Sequence, residues 1–201
     1  MNSMLTIIPV AAAAYIATNL DNLALLVTLL ARHRNQTGFV AGGYLVCMMI
    51  LGFAGFWIGA AAGTAPVEYL GLLGLVPVSI GVMELVRLRR GKTNEATSEV
   101  ALVDGGRSVF MATLISQIGN GADTLITFGA LFADSMPGGD VLIVLTLAAM
   151  AVIFLLIALY GVRHPALQHW IHRHAPHLTP YILIVVGLYI LANTATDLLP
   201  N

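Results

Sequence analysis

Long apolar runs separated by short polar connections organise this chain. The runs occupy about residues 4 to 30, 39 to 62, 67 to 86, 109 to 133, 141 to 160 and 181 to 199. Each is close to the roughly 20 residues that a helix needs to cross a bilayer. Within lipid every backbone polar group must be satisfied inside the segment, so runs of this length predict helices. The pattern predicts an all-α, polytopic membrane protein of six transmembrane helices, a single transmembrane domain over residues 1–201.

Polar residues interrupt two of the runs at depth. Thr18-Asn19-Leu20-Asp21-Asn22-Leu23 lies in the first, and Asn120-Gly121-Ala122-Asp123-Thr124-Leu125 lies in the fourth. Aligned on the aspartates, Leu23 matches Leu125, Ala31 matches Ala133, and a polar residue precedes each Asp by three. Gly81-Val82-Met83-Glu84-Leu85 in the third run resembles Gly187-Leu188-Tyr189-Ile190-Leu191 in the sixth, each with a proline upstream. Two correspondences in the same order predict a duplication, with repeat 1 over about 4–86, a cytoplasmic linker over about 87–108 and repeat 2 over about 109–199. Three helices per half give the halves opposite topology, hence a 3+3 inverted-topology repeat. Asn and Asp disfavour helix interiors, and Gly119 and Gly121 bracket Asn120, so helices 1 and 4 are expected to kink or unwind at the Asp motifs. Gly55-x-x-x-Gly59-x-x-x-Gly63 strips one face of helix 2 for close approach of a neighbour, either helix 1 of the same chain or another subunit of a homo-oligomer.

Charge settles the expected orientation. All nine Lys and Arg fall in alternate connections: Arg32 and Arg34, then Arg87, Arg89, Arg90, Lys92 and Arg107, then Arg163 and Arg173. The positive-inside rule puts those loops in the cytoplasm and both termini outside a plasma (inner) membrane. Charged residues make up 9% of the chain against about a quarter in soluble domains, and the net charge is -1, so nucleic acid is not an expected partner. Met1-Asn2-Ser3 lacks a basic n-region, and the first run reads as a retained helix. Cys47 is the sole cysteine, which excludes dithiol redox chemistry, and it reads as core packing. Gly91-Lys92-Thr93 lacks the earlier glycine of a phosphate loop, Val86 standing there. No nucleophile–base pair or cofactor motif is visible, so neither enzymatic activity nor a resident cofactor is expected.

A carboxylate at the centre of a membrane helix costs about 2.5 to 3.5 kcal/mol on insertion scales, so Asp21 and Asp123 need partners. The predicted spans hold no Lys or Arg. Arg32 and Arg107 stand eleven residues after Asp21 and sixteen before Asp123. On straight helices those separations are about 16 and 24 Å. What remains is a proton, a metal cation, or hydrogen bonds from Thr18, Asn19, Asn22, Asn120 and Thr124. Proton and cation competing for one carboxylate would produce proton-coupled antiport. The donors are carboxylate, amide and hydroxyl oxygens, which suit harder cations; Met48, Met49 and Met83 could add sulfur or simply pack the core. Glu84 reads as an interfacial acid or a helper carboxylate, Asp197 as an interfacial acid, and Asp134 and Asp140 as solvated. His164, His169, His172, His174 and His177 crowd the loop between helices 5 and 6, either as the polar side of an interfacial segment anchored by Trp170 and Ile171 or as a metal-capture site.

At Ala17-Thr18-Asn19-Leu20-Asp21-Asn22, Gly42-Gly43-Tyr44-Leu45, Gly71-Leu72-Leu73-Gly74-Leu75-Val76-Pro77 with Gly81, and Asn120-Gly121-Ala122-Asp123 with Leu131-Phe132, the chain resembles the cadmium-resistance transporter family of the lysine exporter superfamily. The resemblance implies efflux of divalent metal cations such as cadmium, with the helix 1 and helix 4 acids as the ion site. Export of small cationic or zwitterionic organic solutes, found elsewhere in the superfamily, is the alternative. Gly43 stands where the family pattern often has Gln, Thr124 where it usually has Asn, and Gly129 where Pro is common.

Overall fold

The computed structural model describes residues 2–62, 75–89, 105–135, 138–164, 178–189 and 191. Every regular element among them is helical, with no strand. The elements are α1 (Asn2–Arg32), a 3₁₀ turn (Arg34–Gln36), α2 (Thr37–Ala62), α3 (Leu75–Arg89), α4 (Gly106–Gly119), α5 (Ala122–Ala133), α6 (Gly139–Gly161) and α7 (Leu178–Tyr189). Helix takes the first and last residues of the stretch predicted as a linker; residues 90–104 lie outside the described ones.

Three of these helices are long and apolar enough to cross a membrane, at Thr6–Arg32, Arg34–Ala62 and Gly139–Gly161, with shorter apolar helices at Ala122–Ala133 and Leu178–Tyr189. The outward faces are as apolar as the buried ones. On α2, Val40, Tyr44, Cys47, Met48 and Leu51 are buried while Met49, Ile50, Phe53, Trp57 and Ile58 are exposed. On α6, Ile143, Leu147, Ala151, Phe154 and Ala158 are buried while Val144, Leu145, Val152 and Leu156 are exposed. A helix apolar all round belongs inside a protein or in lipid, and these outward faces require lipid. The chain is an integral membrane protein.

Burial ranks the helices. On α1 the consecutive residues Ala17, Thr18 and Asn19 are all fully buried, which a helix achieves only with neighbours over more than half of its circumference. α1 is the central helix and packs chiefly on α6, whereas α2 packs chiefly on α5 and α4. Tyr15 joins three elements: its ring meets Phe154 of α6 edge-on at 5.1 Å and Phe128 of α5 at 6.0 Å, and its hydroxyl lies 2.7 Å from that of Tyr44 on α2.

The glycine spacing on α2 finds its neighbour in the same chain. A Cβ on Gly55 would lie 2.7 Å from the Phe128 Cβ. One on Gly59 would collide with the Phe132 Cβ and stand 2.9 Å from both the Ala133 nitrogen and the Gly129 oxygen. The partner is α5 rather than helix 1, and it answers with small residues four apart, Gly129 and Ala133. Gly63 lies outside the described residues.

The expected helix breaks occur in one motif and not the other. The fourth run is divided: α4 ends at Gly119, Asn120 and Gly121 form a turn, and α5 begins at Ala122. At about 1.5 Å per residue neither half alone spans a core of about 30 Å. α1, by contrast, runs unbroken through Asp21. The first motif has Leu20 where the second has Ala122 and no glycine, and its Asn19 amide donates to the Tyr15 carbonyl one turn back at 3.1 Å. An Asn whose side chain is satisfied by its own helix has no reason to open it.

Candidate functional site

The break in α4–α5 faces the centre of α1, and polar side chains from both fill the space. Asn120 Nδ2 donates to Asp21 Oδ2 at 2.7 Å and to Asn22 Oδ1 at 3.0 Å. Asn22 Nδ2 passes the pattern on to Asn19 Oδ1 at 3.0 Å, and Asn19 Nδ2 donates to Thr18 Oγ1, also at 3.0 Å. Thr18 in turn donates to the Ala14 carbonyl at 3.0 Å. The other oxygen of Asp21, Oδ1, accepts the Asn22 N–H at 2.8 Å. A second tie crosses the interface where Thr124 Oγ1 donates to the Thr18 carbonyl at 3.1 Å. One cluster thus holds Thr18, Asn19, Asp21, Asn22, Asn120 and Thr124.

Asp123 stands in the first turn of α5, half-buried, bracketed by Asn120 and Thr124, whose side chains reach α1. There the helix macrodipole favours negative charge by about 0.3 to 1 kcal/mol. Asp21 sits mid-helix and has no such help from α1, so its stabilisation must come from other groups, among them the Asn120 amide. Two aspartates from matching motifs therefore occupy different electrostatic settings.

Thr18, Asn19, Asn22 and Thr124 are fully buried. Among the described residues no group of three or more His, Cys, Asp or Glu could hold a metal ion, so the donors converging here are carboxylate, amide and hydroxyl oxygens. The candidate sulfur ligands fall away in part: Met49 is 73% and Met83 52% exposed, facing outward, while Met48 and Cys47 are buried on α2. Asp140 accepts a hydrogen bond from Ser135 instead of being solely solvated. His164 closes α6 against the Tyr160 ring at 4.1 Å. The other four histidines of that loop, Trp170 and Ile171, Asp197 and the side chain of Glu84 lie outside the described residues.

Residues not singled out from the sequence complete the site. Gln117, fully buried on α4, donates from Nε2 to the Asn22 backbone carbonyl at 3.2 Å. Thr113, one turn earlier, donates to the Val109 carbonyl at 2.8 Å, and the Tyr15–Tyr44 hydroxyl pair lies one turn from Asn19. A stripe at 113, 117, 120 and 124 marks a single polar face on the fourth run, and it is visible in the sequence once helical spacing is applied past the aspartate.

Gly43 also gains a reason. A Cβ there would stand 2.7 Å from the Phe110 carbonyl oxygen and 3.0 Å from the Thr113 Cβ, so α2 and α4 touch at a point where no side chain fits. No curated protein and no solved structure matches the chain. The model of the family described as cadmium resistance transporter matches residues 15–199, taking in both Asp motifs and every helix after the start of α1, and the chain belongs to that family.

Proposed function

We propose that this protein is a secondary-active exporter of divalent metal cations, cadmium or another heavy or transition metal, coupled to proton antiport through Asp21 and Asp123. The observation that carries the reading is the 2.7 Å hydrogen bond from Asn120 to Asp21, which brings the two Asp motifs to one place between α1 and the α4–α5 break. Family membership supports metal efflux as the activity. Thr18, Asn19, Asn22, Asn120 and Thr124 contribute oxygen donors around the carboxylates. Protons and the cation compete for the same oxygens, so release of one favours binding of the other.

The packing supports a 3+3 inverted repeat as the scaffold. Exchange of the two halves turns a contact of span 1 with span 5 into one of span 4 with span 2, and these are the two dominant contacts, α1 with α6 and α4–α5 with α2. Contacts that map onto themselves are present too: span 1 with span 4 through Asp21 and Asn120, and span 3 with span 6 through Gly81, whose added Cβ would lie 2.7 Å from the Pro180 carbonyl oxygen. Such repeats place ion sites at broken helices between the halves.

A metal-tolerance screen in a sensitive host tests the function. Wild type is expected to confer tolerance to cadmium or another divalent ion, and Asp21→Asn and Asp123→Asn to lose it while reaching the membrane at normal levels. Full tolerance with both variants would refute the site; no response to any divalent ion would point to organic solutes.

A further inference from the structure

We infer that the side-chain oxygen of Gln117 is a further ligand of the transported cation, biasing the site toward ions that accept neutral oxygen donors. The inference rests on the reading that the Asp21 and Asp123 motifs carry the ion. Gln117 is fully buried, and its Nε2 donates to the backbone carbonyl of Asn22 at 3.2 Å. A carbonyl only accepts, so the carboxamide has one orientation: nitrogen toward Asn22, Oε1 away from it. That Oε1 is buried and has no hydrogen-bond partner among the described residues.

The neighbouring amide oxygens differ in this respect. Asn19 Oδ1 accepts from Asn22, and Asn22 Oδ1 accepts from Asn120. A cation binding either one must compete with an existing hydrogen bond, whereas Gln117 Oε1 offers lone pairs at no such loss. Gln117 and Asn120 are three residues apart on one face of α4 and its terminal turn, and both reach α1 at Asn22. An unpaired amide oxygen in the interior is a standing cost, which binding of a cation would relieve. Amide oxygen favours harder ions, while a thioether favours softer ones.

Full-length protein in detergent, titrated with MnCl₂ and separately with CdCl₂, gives the test. Gln117→Leu is expected to weaken Mn²⁺ binding about tenfold by removing one oxygen ligand. Gln117→Met, of similar size but bearing sulfur, is expected to leave Mn²⁺ equally weak and to raise Cd²⁺ affinity above that of Gln117→Leu. A purely structural role would move both ions together and give Leu and Met the same Cd²⁺-to-Mn²⁺ ratio, which overturns the inference. If neither apolar variant folds, Gln117→Glu decides: tighter Mn²⁺ binding supports ligation, and unchanged affinity refutes it. Asp21→Asn measured alongside separates the two levels. Loss of binding there with inert Gln117 variants removes Gln117 alone, while intact binding in Asp21→Asn removes the ion site itself.

Discussion

The contact between Asn120 and Asp21 has a magnitude that depends on what Asp21 is. Asn120→Ala deletes two donated hydrogen bonds, to Asp21 Oδ2 and to Asn22 Oδ1. Interhelical hydrogen bonds in membrane proteins average about 0.6 kcal/mol in double-mutant cycles. A hydrogen bond to a charged group reaches about 1.5 to 3 kcal/mol. The coupling between Asn120→Ala and Asp21→Leu, read from unfolding of all four proteins in detergent, is therefore expected near 0.6 if Asp21 is protonated and above about 1.5 if it is ionised. Repeating the cycle at low and neutral pH turns this difference into a titration: coupling should be the larger where the carboxylate is charged and fall as pH drops and the proton occupies it. Strictly additive single effects at both pH values would mean that the two side chains do not interact, and the joined site would fail with them.

Three further perturbations test the surrounding packing. Gly59→Ala forces a Cβ against the Phe132 Cβ and two backbone atoms and should cost about 1 to 3 kcal/mol in detergent unfolding. Gly52→Ala, on the same helix with nothing within 4 Å, should be neutral or slightly stabilising; equal losses at both positions would contradict the α2–α5 interface. Tyr15→Phe or Tyr44→Phe leaves a buried hydroxyl alone and should cost about 1 to 3 kcal/mol, with the double variant recovering most of it. A double variant as weak as the two singles combined would contradict the pairing. Gly43→Gln should lower the yield of folded protein because Phe110 and Thr113 leave it no room; wild-type yield would refute the close approach of α2 and α4.

Much of this arrangement was legible in the sequence because membrane spans advertise themselves. The expected runs from 39 to 62 and 141 to 160 return as α2 and α6 with ends displaced by no more than a turn. The break at Asn120 was readable from its two flanking glycines. Continuity of α1 was not, because it depends on the Asn19 amide folding back onto the Tyr15 carbonyl, a local choice that composition does not fix. Gln117 belongs to the polar stripe at 113, 117, 120 and 124, but its role depends on the Asn22 carbonyl across the interface, which spacing along one helix does not specify. The α2 glycines announced a close neighbour but not which one; α5 is selected by Gly129 and Ala133, whose small size matters only after the two helices are paired.

Flux of cadmium in sealed proteoliposomes carrying a trapped pH dye tests the central claim most directly. With wild type, an imposed proton gradient should drive Cd²⁺ the opposite way, and an imposed Cd²⁺ gradient should move protons. Asp21→Asn and Asp123→Asn, folded and reconstituted equally, should each abolish both movements. Wild-type flux in either variant, or Cd²⁺ transport with no proton movement, would contradict a shared carboxylate site for cation and proton.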